Sequence, residues 1–187
     1  MNTKEAIMTR RSIRNYTERV VEKEVIEQLL EAAVYAPTAT FDQPWLFGVI
    51  QDKGLLKRIS DECKASFLRQ LGNSEGMQQY RERLENPEFN IFYNAGTLIL
   101  ICYSAGMGAA PEIDCCLAAE NLMLMARELG LGTCWIGFAN IWLNTQEGKK
   151  ALGLPEEVKV VAPIIVGYPA EEPPVRERNK PVVLFWK

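Results

Sequence analysis

Arg10-Arg11-Ser12-Ile13-Arg14 is the first stretch of this chain whose residue types could do chemistry. Three guanidiniums and a hydroxyl within five residues supply permanently charged, planar donors, a set that suits a phosphate dianion and its acceptor oxygens. Taken alone, the cluster is more simply a solvated basic turn, because short basic runs are common. A second basic group, Arg176, Arg178 and Lys180, follows far downstream. Histidine is absent from the 187 residues, which removes the usual general base, the commonest metal ligand and every Ser-His-Asp or Cys-His mechanism. The five cysteines, Cys63, Cys102, Cys115, Cys116 and Cys134, lie in apolar segments with no CxxC pair. They read as reduced core residues rather than a zinc site, and no metal is expected. Any catalysis would then fall to a bound cofactor, with no catalytic side chain of its own.

The bulk numbers narrow the partners. A net charge of −3 gives no global attraction to nucleic acid or anionic membranes, although a local cluster can still hold one phosphate. The N-terminal residues lack the apolar run of a signal peptide, and nothing later approaches the roughly 18 consecutive apolar residues of a membrane span. No nucleic acid and no membrane partner is expected, and the location is read as cytoplasmic. With 48% hydrophobic residues, residues 1–187 are expected to form a single domain.

The elements that must position the basic clusters can be read from periodicity. Asn2 with Glu5 can cap a short helix that runs into Arg10. Residues 22–36 form an amphipathic helix ended by Pro37, and residues 38–44 a polar loop. Trp45 to Ile50 reads as a strand, Lys53 to Leu68 as a packing helix, and Ser74 to Pro87 as a polar surface excursion. Residues 96–104 form a buried strand. Its Gly-rich exit invites a dinucleotide-binding reading, but Pro111 stands where the third glycine of GxGxxG belongs. Residues 112–129 follow as a helix apolar beyond a single stripe, which calls for neighbours from a second subunit. Gly130 and Gly132 end it, residues 133–137 form a short buried strand, and Gly137 could bring bare backbone close to a ligand. Residues 158–168 give a last strand. The apolar tail Val182 to Trp186 needs a groove or sheet edge in its own subunit or another's. Phe41, Phe92, Tyr93 and Trp142 are candidates for lining a substrate pocket, with core packing as the alternative.

Four segments in order, residues 10–14, 32–50, 128–138 and 167–174, together resemble the FMN-dependent nitroreductase family. The resemblance implies an α+β fold with a mixed, largely antiparallel central sheet flanked by helices, in an intertwined homodimer with C-terminal strand exchange. It implies FMN as cofactor, NAD(P)H as co-substrate and a small-molecule electron acceptor. By the same resemblance Arg10, Arg11 and Ser12 would hold the phosphate and ribityl chain, and Arg14 the pyrimidine edge. Pro37, Thr38, Ala39 and Thr40 would reach across from the other subunit. Cys134, Trp135, Ile136 and Gly137 would run along the ring, with the Gly137 N–H aimed at N5, and Arg178 and Lys180 would close on the phosphate. This makes the second basic cluster an argument for phosphate binding. Residues 54–93 match no part of the family pattern and would form a variable cover over the active site. Phe41 stands where an asparagine is usual, and Asn179 where an arginine is usual. The implied activity is hydride transfer from NAD(P)H through flavin N5 to an electron-poor nitroaromatic or quinone-like acceptor, in a ping-pong cycle. A flavin storage or sensor protein, a dehalogenase or a partner-reduced reductase are the alternatives.

Overall fold

A computed structural model of the chain describes residues 1–71 and 78–187. Its centre is a four-stranded antiparallel sheet made of β1 (Trp45–Ile50), β2 (Thr97–Ser104), β3 (Gly132–Trp135) and β4 (Val158–Gly167), in the order β1-β2-β4-β3. Among the described residues one parallel pairing is seen, a bridge from Ser12 to Thr133 of β3. β2 explains why the sheet needs cover on both sides. Ile99 and Ile101 face one core, and Leu98, Leu100 and Cys102 face another, so alternate side chains are apolar throughout.

The first face is covered by α2 (Lys23–Val34) and α5 (Pro111–Glu128), through Leu29, Ala33, Leu122 and Ala126. The other is covered by α3 (Lys53–Leu71), α6 (Ala139–Leu143) and α7 (Gln146–Leu152), through Ile59, Cys63, Trp142 and Leu143. α5 starts at Pro111 with Glu112 and Asp114 in its first turn and carries Arg127 in its last, complementing the helix dipole. Gly130 stops it at φ +74°.

Three expectations change. α1 (Thr3–Thr9) is capped by the Asn2 side chain as foreseen, but it ends before the basic cluster, with Arg10 as C-cap. The polar excursion is partly helical: α4 (Gln78–Glu85) forms there, while residues 74–77 lie outside the described residues. Leu122 and Trp142 are buried within their own chain, so Leu122 belongs to the protomer core rather than to a subunit interface. The outward stripe of α5 is instead Ile113, Cys116 and Leu117, with Ile113 63% exposed. The tail beyond Pro181 forms no regular element within its own chain and leaves Trp186 90% exposed, so the groove or sheet edge expected for it is not supplied by its own subunit.

Candidate functional site

The N-terminal segment after α1 lies along β3 because each side supplies what the other lacks. The Ile13 N–H donates to Thr133 O at 2.9 Å, and the Tyr16 hydroxyl donates to Ile13 O at 2.8 Å. Gly132 allows this approach: a Cβ there would lie 2.5 Å from Ile13 Cγ1. The same segment ties down the chain beyond β4. Thr17 N–H donates to Tyr168 O, Ala170 N–H to Asn15 O, and the Asn15 side chain to Glu171 Oε1. Arg127 holds Glu172 at 2.7 Å. Two basic clusters more than 160 positions apart are thereby brought onto one surface.

Between them lies a cavity of about 390 Å³ lined by Arg11, Ser12, Ile13, Arg14, Asn15, Glu171, Pro173, Pro174, Arg176 and Arg178. Two of the Arg11 donor contacts are local, to Met8 O and Arg10 O, while its buried Nε has no acceptor. A buried guanidinium N–H without a partner, beside three further arginines, fits an anionic group such as a phosphate.

Arg14 also lines a second cavity, of about 330 Å³, with Phe67, Phe89, Ile91, Tyr93, Cys134, Trp135, Ile136, Gly137 and Phe138. Its floor is the end of β3. The Gly137 N–H donates to no acceptor among the described residues, and a Cβ on Gly137 would meet nothing within 4 Å. Bare backbone with a free donor thus faces open space. Burial pushes the Cys134 thiol above its ordinary range, against the opposing pull of Arg14, the Ser12 hydroxyl and Arg10. It is therefore no ready nucleophile.

The wall is aromatic, and α3 holds it. Lys64, 6% exposed, donates from Nζ to Phe89 O at 2.8 Å and to Asn86 O at 3.3 Å, and the Ile91 N–H donates to Ser60 Oγ at 3.0 Å. Phe67 packs edge-on against Phe138 with centroids 4.6 Å apart, and Phe89 against Tyr93 at 5.7 Å. Tyr93 sits at φ +51° and Asn94 at +58°, a left-handed turn uncommon for such residues.

The residues expected at the site divide. Arg11, Ser12, Arg14 and Arg178 meet at the first cavity, and Arg14, Tyr93 and Cys134 to Gly137 at the second. Arg10 turns away, its Nε 3.5 Å from Glu120 on α5, and Lys180 is exposed and lines neither cavity. Pro37, Thr38, Ala39 and Thr40 lie on a separate loop that reaches neither cavity of its own chain. That loop is strained and held. Thr40, Phe41 and Gln43 all have positive φ (54°, 61° and 49°). The Ala39 N–H donates to buried Asp114 Oδ1 at 3.2 Å, and Asp42 Oδ2 accepts from the Thr40 hydroxyl at 2.6 Å and the Ala109 N–H at 3.0 Å. Such strain persists where the surroundings over-determine it, often at functional loops.

One pocket candidate, Phe92, is corrected, and Phe41 is placed away from the cavities of its own chain. Phe92 is 0% exposed and belongs to the core between α3 and the sheet, so it cannot line an open pocket. Phe41 is 81% exposed on the strained loop, away from both cavities of its own chain. Asn15, Glu171, Phe67, Phe89, Ile91 and Phe138 were not foreseen. Only Phe89, beside Tyr93, carried a signal in the sequence; Phe67 read as helix packing.

A basic cavity joined through one arginine to an aromatic cavity floored by bare backbone has the chemistry to suit a phosphorylated, planar ring system. The chain belongs to the nitroreductase family: the model of the Nitroreductase family matches residues 7–168. A protein of Archaeoglobus fulgidus named as an NADH dehydrogenase/NAD(P)H nitroreductase is 33% identical over 170 residues, covering 89% of this chain and 84% of that protein. One of the same name from Methanothermobacter thermautotrophicus is 30% identical over 184 residues, covering 97% and 84%. A crystal structure of a nitroreductase with bound FMN from Bacteroides fragilis superposes with a TM-score of 0.82 at 26% identity, covering 99% of this chain and 97% of that one.

Proposed function

We infer that this protein is an FMN-dependent NAD(P)H oxidoreductase of the nitroreductase type, working on an electron-poor nitroaromatic or quinone-like acceptor. The observation that carries the reading is Arg14, shared between the arginine-lined cavity and the aromatic one. Arg11, Ser12, Arg176 and Arg178 would hold the FMN phosphate. Arg14 would place a fixed cation at the ring, where it favours added negative charge. The Gly137 N–H is the donor free to meet the ring face that lies on β3. Bound FMN supplies the hydride-accepting and hydride-donating N5.

The protein's part is positioning and exclusion of water. The second cavity, about 330 Å³ and walled by Phe67, Phe89, Tyr93 and Phe138, is of a size to take one aromatic molecule at a time. That supports a ping-pong order in which NAD(P)H leaves before the acceptor enters. Among the described residues its lining contains no carboxylate or imidazole, in keeping with a site that orients rather than acts as acid or base.

A homodimer belongs to the same proposal. Ile113, Cys116 and Leu117 form an uncovered stripe on α5, and Val182 to Trp186 lie open on the tail. A second copy would bury both by helix packing and by strand exchange. It would also bring the strained loop carrying Pro37 to Thr40 to the partner's cavity. No helix among the described residues is long and apolar enough to cross a membrane, and a cytoplasmic location is part of the proposal.

Anaerobic addition of NADH or NADPH to FMN-loaded protein tests the reading. Bleaching of the flavin near-ultraviolet and visible bands, and their return on adding a nitroaromatic or quinone, is the expected result. Flavin that stays oxidised with both nucleotides overturns it.

A further inference from the structure

We propose that Arg83 is a specificity-determining residue that reads a negatively charged substituent, a carboxylate or sulfonate, on the aromatic electron acceptor; the proposal rests on the oxidoreductase reading above. Arg83 lies on α4, one side chain outward from the aromatic cavity. Its guanidinium carbon stands 4.3 Å from the Phe89 ring centroid and 5.4 Å from that of Tyr93, and its Nη2 donates to the Tyr93 hydroxyl at 3.4 Å. Both rings line the cavity. Two aromatic faces and one hydroxyl fix the guanidinium beside the cavity wall, so little of its rotamer freedom remains to be lost on binding.

Its charge is uncommitted. Among the described residues no carboxylate lies within ion-pair distance of Arg83, and the nearby Glu85 on the same helix is taken by Arg81 at 3.2 Å. The remaining N–H donors of the fork are left for a ligand. Arg14 stands on the same ring from the cavity side, its guanidinium carbon 5.8 Å from the Tyr93 centroid. Tyr93 thus stands between Arg14, which lines both cavities, and Arg83, which lines neither and packs against the aromatic wall. Apolar walls accept the ring of an acceptor, and the outer guanidinium accepts a planar anion by the fork geometry that arginine offers carboxylates. A neutral acceptor gains the walls alone.

The test uses the FMN-loaded full chain with 4-nitrobenzoate and 4-nitrobenzamide, which differ in charge and little in size. Wild-type protein is expected to prefer the benzoate in kcat/KM by about fivefold, the upper end for a solvent-exposed ion pair. Arg83→Gln should bring the ratio close to one, and Arg83→Lys should restore part of it. Equal ratios in wild type and Arg83→Gln overturn the proposal. So does a variant whose defect is confined to the KM for NADPH against NADH, which would assign the cation to the nucleotide donor. Calorimetric titration with benzoate and benzamide gives a readout independent of turnover. If neither nitro compound is reduced but benzoate binding still depends on Arg83, the oxidoreductase reading fails and Arg83 keeps only the recognition of an aromatic anion, not of an electron acceptor. If benzoate and benzamide bind alike, this one fails.

Discussion

Replacing Gly132 with alanine tests whether the close approach of the N-terminal segment to β3 builds the cofactor site. The new Cβ would lie 2.5, 2.7 and 2.9 Å from Ile13 Cγ1, Cβ and Cγ2, where carbon atoms ordinarily sit about 3.5 to 4.0 Å apart. Ile13 is 5% exposed and has nowhere to swing, and its backbone is held by the bond to Thr133. The segment must therefore lift by roughly 1 Å, an overpacking cost of about 1 to 3 kcal/mol. Ser12 and Arg14 travel with it. Losing the geometry of one charge-assisted hydrogen bond costs about 1.5 kcal/mol or more, so the FMN dissociation constant should rise at least about tenfold. Urea unfolding of the apo-protein reads the first effect, and titration of flavin fluorescence the second. Gly130→Ala is the control: with φ +74° and nothing within 4 Å of its Cβ, it should lose about 1 kcal/mol of stability and leave FMN affinity unchanged. A folded Gly132→Ala protein that binds FMN as tightly as wild type would refute the reasoning.

Three further outcomes follow from the geometry. Arg178→Ala should weaken FMN binding about tenfold by fluorescence titration, whereas Lys180→Ala should change it little, because only Arg178 lines the arginine cavity. Leu117→Glu should give a folded monomer with weakened flavin binding, seen by sedimentation, while Leu122→Glu should unfold the protomer, since Leu122 is buried in its own core. Hydrogen bonds from Arg19 and Tyr168 hold the Glu22 carboxyl down at about 2; the resulting stabilisation is complete above the ordinary glutamate range and is lost as pH falls toward 2. Tyr168→Phe should raise the Glu22 midpoint in an NMR titration, and an unmoved midpoint would show that the 2.7 Å contact does not persist in solution.

Periodicity carried the sheet and the helices because their burial is dictated locally. The two-sided apolar β2 and the glycine-stopped α5 could be read before any contact was known. The basic clusters were legible as charge, but not as direction. Arg10 and Arg11 are adjacent at a helix end, and what separates them is Glu120, distant in sequence, which draws Arg10 away. The aromatic wall failed in the same way. Phe89 and Phe92 are three apart in an irregular turn, where one ring lines the cavity and the other is buried in the core, and no spacing rule applies there. Phe67 was hidden because a cavity-lining residue on an amphipathic helix has the same pattern as a packing one.

The lacing of residues 12–17 to 168–171 also sets an order of events in the life of the chain. The phosphate cavity is closed by Arg11 at one end and Arg178 at the other, so its loop closure spans nearly the whole polypeptide. During synthesis the sheet is complete once Gly167 has emerged, yet the anion site still lacks its far wall. The two N-terminal guanidiniums, Arg11 and Arg14, therefore wait for Arg176 and Arg178, so the arginine-lined cavity forms after the sheet that supports it.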